Sequence, residues 1–322
     1  MVDRRQRTPN KAGAREVACA LYSDVAGIEW IPSDDADVFR LTFASERAPR
    51  VLKLARPGIR AVWRELGAFP GLRSMGVPEV LEFEYTSEDL PGLGLDFHVT
   101  REVDGPQLAN QAMAQMWAND RSRAVEMAHW FGDCTRRVER LNWRTVPRAN
   151  SPEQTIEEAT RWSEPHYHNL AARPDCPQWV REFVDQVGEQ IRRPPTSFGG
   201  WGGELLGAPN GTFLLIDWPS LGAAPSCSQA ATALEVLLRF GAADPTSLVD
   251  AFIDGWAPGG LDERRLQDLR LSWVHSILGW AGMSLTFDDP GADLTPAYVA
   301  ALHDLREDDP RSWMRRATAP IV

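Results

Sequence analysis

The chain has 322 residues, 43% of them hydrophobic and 25% charged, with a formal net charge of −11. That length supports two lobes or two small domains, each with its own core, and the composition is that of a globular protein. An acidic surface without a basic stripe argues against a nucleic-acid partner, and no apolar run reaches the length that spans a bilayer, so neither nucleic acid nor membrane is expected as a partner.

The first sixteen residues, MVDRRQRTPNKAGARE, are basic and polar, lack the apolar stretch of a signal peptide and read as a short disordered arm. Helical spacing begins over residues 14–25. Val38, Phe39, Leu41 and Phe43 form one β-rich run and Val51, Leu52 and Leu54 the next, joined by a turn-like 44–49. After the Pro57–Gly58 turn, residues 59–69 place apolar side chains at helical spacing. Residues 76–108 read as two more strands around a Gly/Pro-punctuated turn. Beyond Gly105 helices take over. Residues 110–142 hold two, Ser151–Pro152 ahead of acids starts another, and residues 177–195 form one stopped by a pair of prolines. A glycine-rich stretch and the apolar run LLIDW interrupt the helices, which resume in 229–240, 246–256 and 264–281. The expected class is α+β, with a small antiparallel β-rich lobe over 1–104 and a large, mainly helical lobe over 105–322. Cys19, Cys134, Cys176 and Cys227 lie far apart with no CxxC, which points to reduced thiols and a cytoplasmic location.

Three charged residues stand out. Lys53 has aliphatic neighbours on both sides in VLKL, Glu65 follows on the next helix, and Asp217 ends LLIDW. A lysine so placed is either an edge residue that reaches to solvent or a fixed cation. A carboxylate at the end of a buried strand is costly unless paired or bound to a cation. The order of these features resembles the aminoglycoside phosphotransferase and choline kinase branch of the protein-kinase-like fold, over nearly the whole chain. The resemblance implies a bilobal fold in which Lys53 holds the phosphates of ATP and Glu65 fixes Lys53 through an ion pair. The same pair also has a purely structural reading. In HVTREVDGPQL, Glu102 and Val103, followed by Asp104–Gly105, match the segment that links the lobes and whose backbone binds adenine. Asp217 matches the acid that coordinates magnesium.

Other positions depart from the family pattern. The family carries a His-Gly-Asp motif upstream of IDW, whose Asp orients or deprotonates the acceptor hydroxyl, and a metal-binding Asn some residues later. Counting back from Asp217, these places fall at Gly199 or Gly200 and at Glu204. Glycine has no side chain to accept a proton. Glu204 remains as a metal ligand in place of the asparagine or as a turn cap. The family's glycine-bearing turn between its first two strands is PSDDAD here, Pro32–Asp37, and acids facing phosphates would repel them. The acid expected shortly after IDW is absent as well, and AAPSCSQA offers Ser226 and Ser228. The pair His166 and His168 would share one face of a strand and carry little meaning in a loop.

These readings lead to an aminoglycoside-phosphotransferase-like pseudokinase, a binding or regulatory component that grips a small molecule or peptide for a partner enzyme, with residual binding of ATP and magnesium. The alternative is an active, atypical ATP- and magnesium-dependent phosphotransferase acting on a hydroxyl. Glu204 and Asp217 would then hold the metal.

Overall fold

The structure, a computed structural model, describes residues 8–33, 35–103, 107–201, 204–207, 213–216, 218, 221–238 and 246–287. The chain divides into two compact units. One comprises Met1–Pro106, Val146–Ala149 and Leu205–Pro219, and the other comprises Gln107–Thr145, Asn150–Glu204 and Ser220–Val322. The first is β-rich and the second mainly helical, an α+β organisation.

In the first unit α1 (Lys11–Leu21) leads into β1 (Val25–Ile31), β2 (Ala36–Phe43) and β3 (Arg50–Ala55), followed by α2 (Ala61–Ser74), β4 (Tyr85–Thr86) and β5 (Phe97–Arg101). The strands form an antiparallel sheet in the order β1-β2-β3-β5-β4. Strand alternation sends successive side chains to opposite faces, and the two helices divide those faces between them. Phe39 and Leu41, Leu52 and Leu54, and Phe97 and Val99 pack with Ala14, Val17, Ala18 and Tyr22 of α1 in one core. Lys53 and His98, cross-strand partners in the β3–β5 register, point the other way, toward α2.

Two local expectations change. The helix read from residue 14 starts three residues earlier, at Lys11 inside the expected arm, because Asn10 Oδ1 accepts from the Gly13 amide at 3.0 Å and caps it, with Ala14 and Val17 fully buried. Helix α2 runs past the expected stop at Phe69 and through Pro70, burying Val62, Glu65, Ala68, Phe69 and Leu72 at helical spacing.

The second unit holds β6 (Gln107–Leu108), α3 (Ala109–Asn119), α4 (Arg121–Glu139), α5 (Pro152–Trp162), α6 (Glu164–Ala171), α7 (Gln178–Arg192) and β7 (Ser197–Gly199). The strands β8 (Glu204–Gly207) and β9 (Phe213–Ile216) follow, lying mostly in the stretch that returns to the first unit. Then β10 (Gly222–Ala224), α8 (Ser228–Leu238), α9 (Thr246–Trp256) and α10 (Glu263–Phe287) complete the helical unit. The start of α5 is as its sequence reads. Ser151 caps it, with its Oγ accepting from Gln154 N and the Gln154 side chain accepting from Ser151 N, and Pro152 stands in its first turn. Asp120 likewise caps α4 and separates it from α3.

The helices α4 and α9 cross closely. A Cβ on Gly132 would collide with the Phe252 carbonyl, and one on Gly255 with the His129 carbonyl. Each glycine admits the backbone of the other helix where any side chain would force the pair apart. Gly132→Ala or Gly255→Ala is therefore expected to destabilise the fold by about 1–3 kcal/mol or more, as overpacking does. Urea unfolding of the two variants beside the parent measures it, and an unchanged midpoint would contradict this crossing.

Candidate functional site

Three side chains meet between β3, β5 and α2. Lys53 Nζ lies 2.6 Å from Glu65 Oε1, and His98 Nε2 lies 2.9 Å from Glu65 Oε2. The side chains of Glu65 and His98 are 5% and 2% exposed, while that of Lys53 is 19% exposed. Burial alone would push the Glu65 carboxyl up. The Lys53 ammonium and the His98 hydrogen bond outweigh it and hold the group down at about 2. Burial pushes His98 below its ordinary value against the pull of Glu65, so its ring is neutral at neutral pH. An ionised carboxylate only accepts, so Nε2 carries the proton and donates to it. Phe83 stacks on the imidazole with centroids 4.5 Å apart.

An ammonium has three donors. Glu65 takes one of them, at 2.6 Å. His98 carries no local sequence signal. Only the pairing of β5 with β3 brings it to Glu65.

Around this centre, the side chains of Asp37 and Glu102 are paired within the protein. Asp37, the last acid of the PSDDAD turn, is buried. It accepts from Arg56 Nε at 2.7 Å and from the Asn10 amide at 2.9 Å. It does not face a ligand as expected, because a carboxylate beside a buried arginine is held by that partner. Asp34 lies outside the described residues. The Glu102 side chain accepts from Arg40 Nε at 2.7 Å and from Nη2 at 3.0 Å, and its own amide donates to the Pro49 carbonyl at 3.1 Å. Val103 follows it, half-buried, and Asp104 and Gly105 lie outside the described residues.

The segment leading to Asp217 joins the same layer. Leu215 N donates to the Glu79 carbonyl at 2.6 Å, and Leu215 bridges Val80 in parallel. Trp218 is buried, donates from Nε1 to the Leu215 carbonyl at 3.1 Å and meets Phe69 edge-on at 6.5 Å. Phe69 lies one helical turn beyond Glu65 on α2. Asp217 and the Glu204 side chain lie outside the described residues.

The glycine-rich stretch from Gly199 sits in the second unit. There β7 pairs with β10, Gly199 opposite Gly222. The side-chain oxygen of Gln229 accepts from the amides of Gly200 and Trp201, each at 3.0 Å. Trp201 is 4% exposed and stacks on Phe131 at 5.9 Å. The residue after Gln229 is held in turn: Glu139 Oε1 accepts from Ala230 N at 3.1 Å, and its Oε2 accepts from Trp256 Nε1 at 2.7 Å. Burial pushes this carboxyl up, partly offset by those two donors. The first turn of α8 is thus tied to the loop on one side and to α4 and α9 on the other. The serines offered in place of the missing acid do not do this. Ser226 instead accepts on its carbonyl from Ser272 Oγ at 2.9 Å. Gln229 was one residue beyond the serines, and its neutral amide gave no sign of a site.

Burial and the nearby Glu139 push the Cys227 thiol up to about 12, leaving it protonated at neutral pH. His166 and His168 sit on α6, a helix rather than the strand or loop considered from sequence, and a spacing of two turns them to opposite sides. Among the described residues no three His, Cys, Asp or Glu gather as metal ligands. None of their helices is long and apolar enough to cross a membrane.

Two measurements probe this geometry. The Glu65 carboxyl is depressed to about 2 from an ordinary 4.5, so its contribution is present above pH 4.5 and lost as pH falls through about 2. Glu65→Gln should flatten the decline of unfolding free energy across that window, and a slope equal to the parent's would refute the coupling. Gly200 has φ 120, and a Cβ at Gly199 would crowd Gln229 Oε1 at 3.2 Å. Gly200→Asp should therefore cost about 1–3 kcal/mol in denaturant unfolding, as side chains in such conformations do.

No protein-family profile matches the chain, and no curated protein matches it significantly. Solved structures do match. A Ralstonia eutropha JMP134 protein described as an aminoglycoside phosphotransferase superposes with a TM-score of 0.53 at 14% identity, over 95% of this chain and 98% of that one. Plasmodium vivax ethanolamine kinase gives 0.51 at 12% identity, over 89% and 83%. A spectinomycin phosphotransferase solved with ADP and spectinomycin gives 0.50 at 12% identity, over 94% and 98%. The chain has the protein-kinase-like fold that these aminoglycoside phosphotransferases and the ethanolamine kinase share.

Proposed function

We propose that this chain is a pseudokinase-like binding protein, one that retains a phosphate-anchoring lysine and has lost the acid–base group of its catalytic loop. The observation that carries the reading is the loop itself. Gln229 holds the amides of Gly200 and Trp201 in place, while Gly199 and Gly200 offer no carboxylate. A general acid–base group contributes roughly two to four powers of ten to rate, so its loss leaves binding far less impaired than turnover.

In this reading Lys53, fixed by Glu65, takes the phosphates of ATP, and the backbone at Glu102 and Val103 takes the adenine. Asp217 and Glu204 hold magnesium, which neutralises charge between the phosphates. The helical unit grips a small molecule or peptide for a partner enzyme. The Lys53–Glu65 pair is what keeps a second reading in play, an active phosphotransferase acting on a hydroxyl. Phosphoryl transfer rests largely on positioning and electrostatics, so a weak enzyme without a base remains chemically reasonable.

Calorimetric titration of ATP into the protein, with and without magnesium, tests the first reading. Binding should require magnesium and fall at least 10-fold in Lys53→Met and in Asp217→Ala, with no ATP consumed in the presence of hydroxylated acceptors. Absence of binding at millimolar nucleotide would overturn both readings, and steady ATP turnover would favour the second.

A further inference from the structure

We infer that His98 is the positioning residue of the Lys53–Glu65 pair, a second grip on the carboxylate that fixes which way Glu65 presents itself to the lysine. This rests on the phosphate-anchoring reading of Lys53 and adds to it a residue that neither the motif nor the fold points out. A glutamate on a helix has three rotatable bonds, and one ion pair leaves its second oxygen free to swing. Here that oxygen is occupied, with Oε2 2.9 Å from His98 Nε2 while Oε1 is 2.6 Å from Lys53 Nζ. The two donors sit on adjacent strands as direct cross-strand partners, so the sheet ladder sets their spacing and the carboxylate spans it.

The imidazole is itself held. It is 2% exposed, stacked on Phe83, and its buried Nδ1 has no hydrogen-bond partner among the described residues. That orphan atom has a consequence. With the proton on Nε2, Nδ1 is only an unused acceptor. With the proton on Nδ1, a buried donor would go unsatisfied and Glu65 would lose its bond, a cost of about 1–3 kcal/mol for the donor alone. The pocket thus selects one tautomer, the one that grips Glu65. A residue present only to fill space between Phe83 and α2 would not need a polar edge.

The test uses two variants of the whole protein. Gln places its amide nitrogen near the position of Nε2 and can donate to Glu65, whereas Phe fills the volume without a donor. His98→Gln should bind magnesium–ATP within about 3-fold of the parent, and His98→Phe roughly 10-fold or more weakly, the scale of one lost charge-assisted bond. Thermal unfolding midpoints identify any variant that fails through the fold instead. Nitrogen NMR of the histidine side chains gives a readout that does not depend on nucleotide. His98 should show the Nε2–H tautomer in the parent, and the Glu65 carboxyl carbon should shift in His98→Phe and stay in place in His98→Gln. Equal nucleotide affinity in folded His98→Phe, or an Nδ1–H tautomer, would overturn the inference. If the parent binds no nucleotide, the phosphate-anchoring reading fails, and the tautomer and carboxyl shift still decide the role of His98.

Discussion

A buried carboxylate is the constraint on which the first unit is arranged. Taking Glu65 out of water is costly unless cations or donors meet it, and both of its oxygens are met, one by Lys53 and one by His98. Those partners come from β3 and β5, and the acid comes from α2, so one charge fixes the relation of three elements. Strand alternation then allots the faces. One face of the sheet takes the polar pair and α2, and the opposite face, carrying Leu52, Leu54, Phe97 and Val99, is left for α1.

The loop between β7 and β8 depends on a different kind of interaction. Two amides need an acceptor, and a neutral side-chain carbonyl serves as well as a carboxylate. Gln229 therefore keeps the loop's backbone in order without any group able to take a proton. Glu139, half-buried where α4 meets α8 and α9, anchors the turn that carries Gln229. Architecture and acid–base chemistry have separate requirements, and Gln229 meets the first.

This separation also explains how a chain 12–14% identical to its structural neighbours keeps their fold. A core asks for apolar side chains of suitable size at the right period, and many sequences supply them. A catalytic group asks for one kind of atom at one place. Drift is therefore tolerated in the sheet and helices, where Leu52, Phe97 and Phe131 could be other hydrophobes. Gly199 and Gly200 carry no side chain that could take a proton.

Much of this was legible from local pattern. The β2 and β3 runs alternate, Ser151–Pro152 announces α5, and Lys53 and Glu65 stand out because charge in an apolar setting demands a partner. The N-terminal helix was legible in its spacing from residue 14, but its first turn from Lys11 was not, since Lys11, Ala12 and Gly13 add no large apolar side chain. Nor were Asp37, His98 and Gln229. Asp37 reads as a turn acid until Arg56 is seen beside it, 19 residues away. His98 lies 33 residues from Glu65, and Gln229 lies 29 from Gly200 and 28 from Trp201. The sequence alone determined the alternation, the caps and the missing acid, because each is a property of neighbouring residues. The tertiary structure decided which charges are paired and what holds the loop, because those bonds join residues that only the folded chain brings within 3 Å.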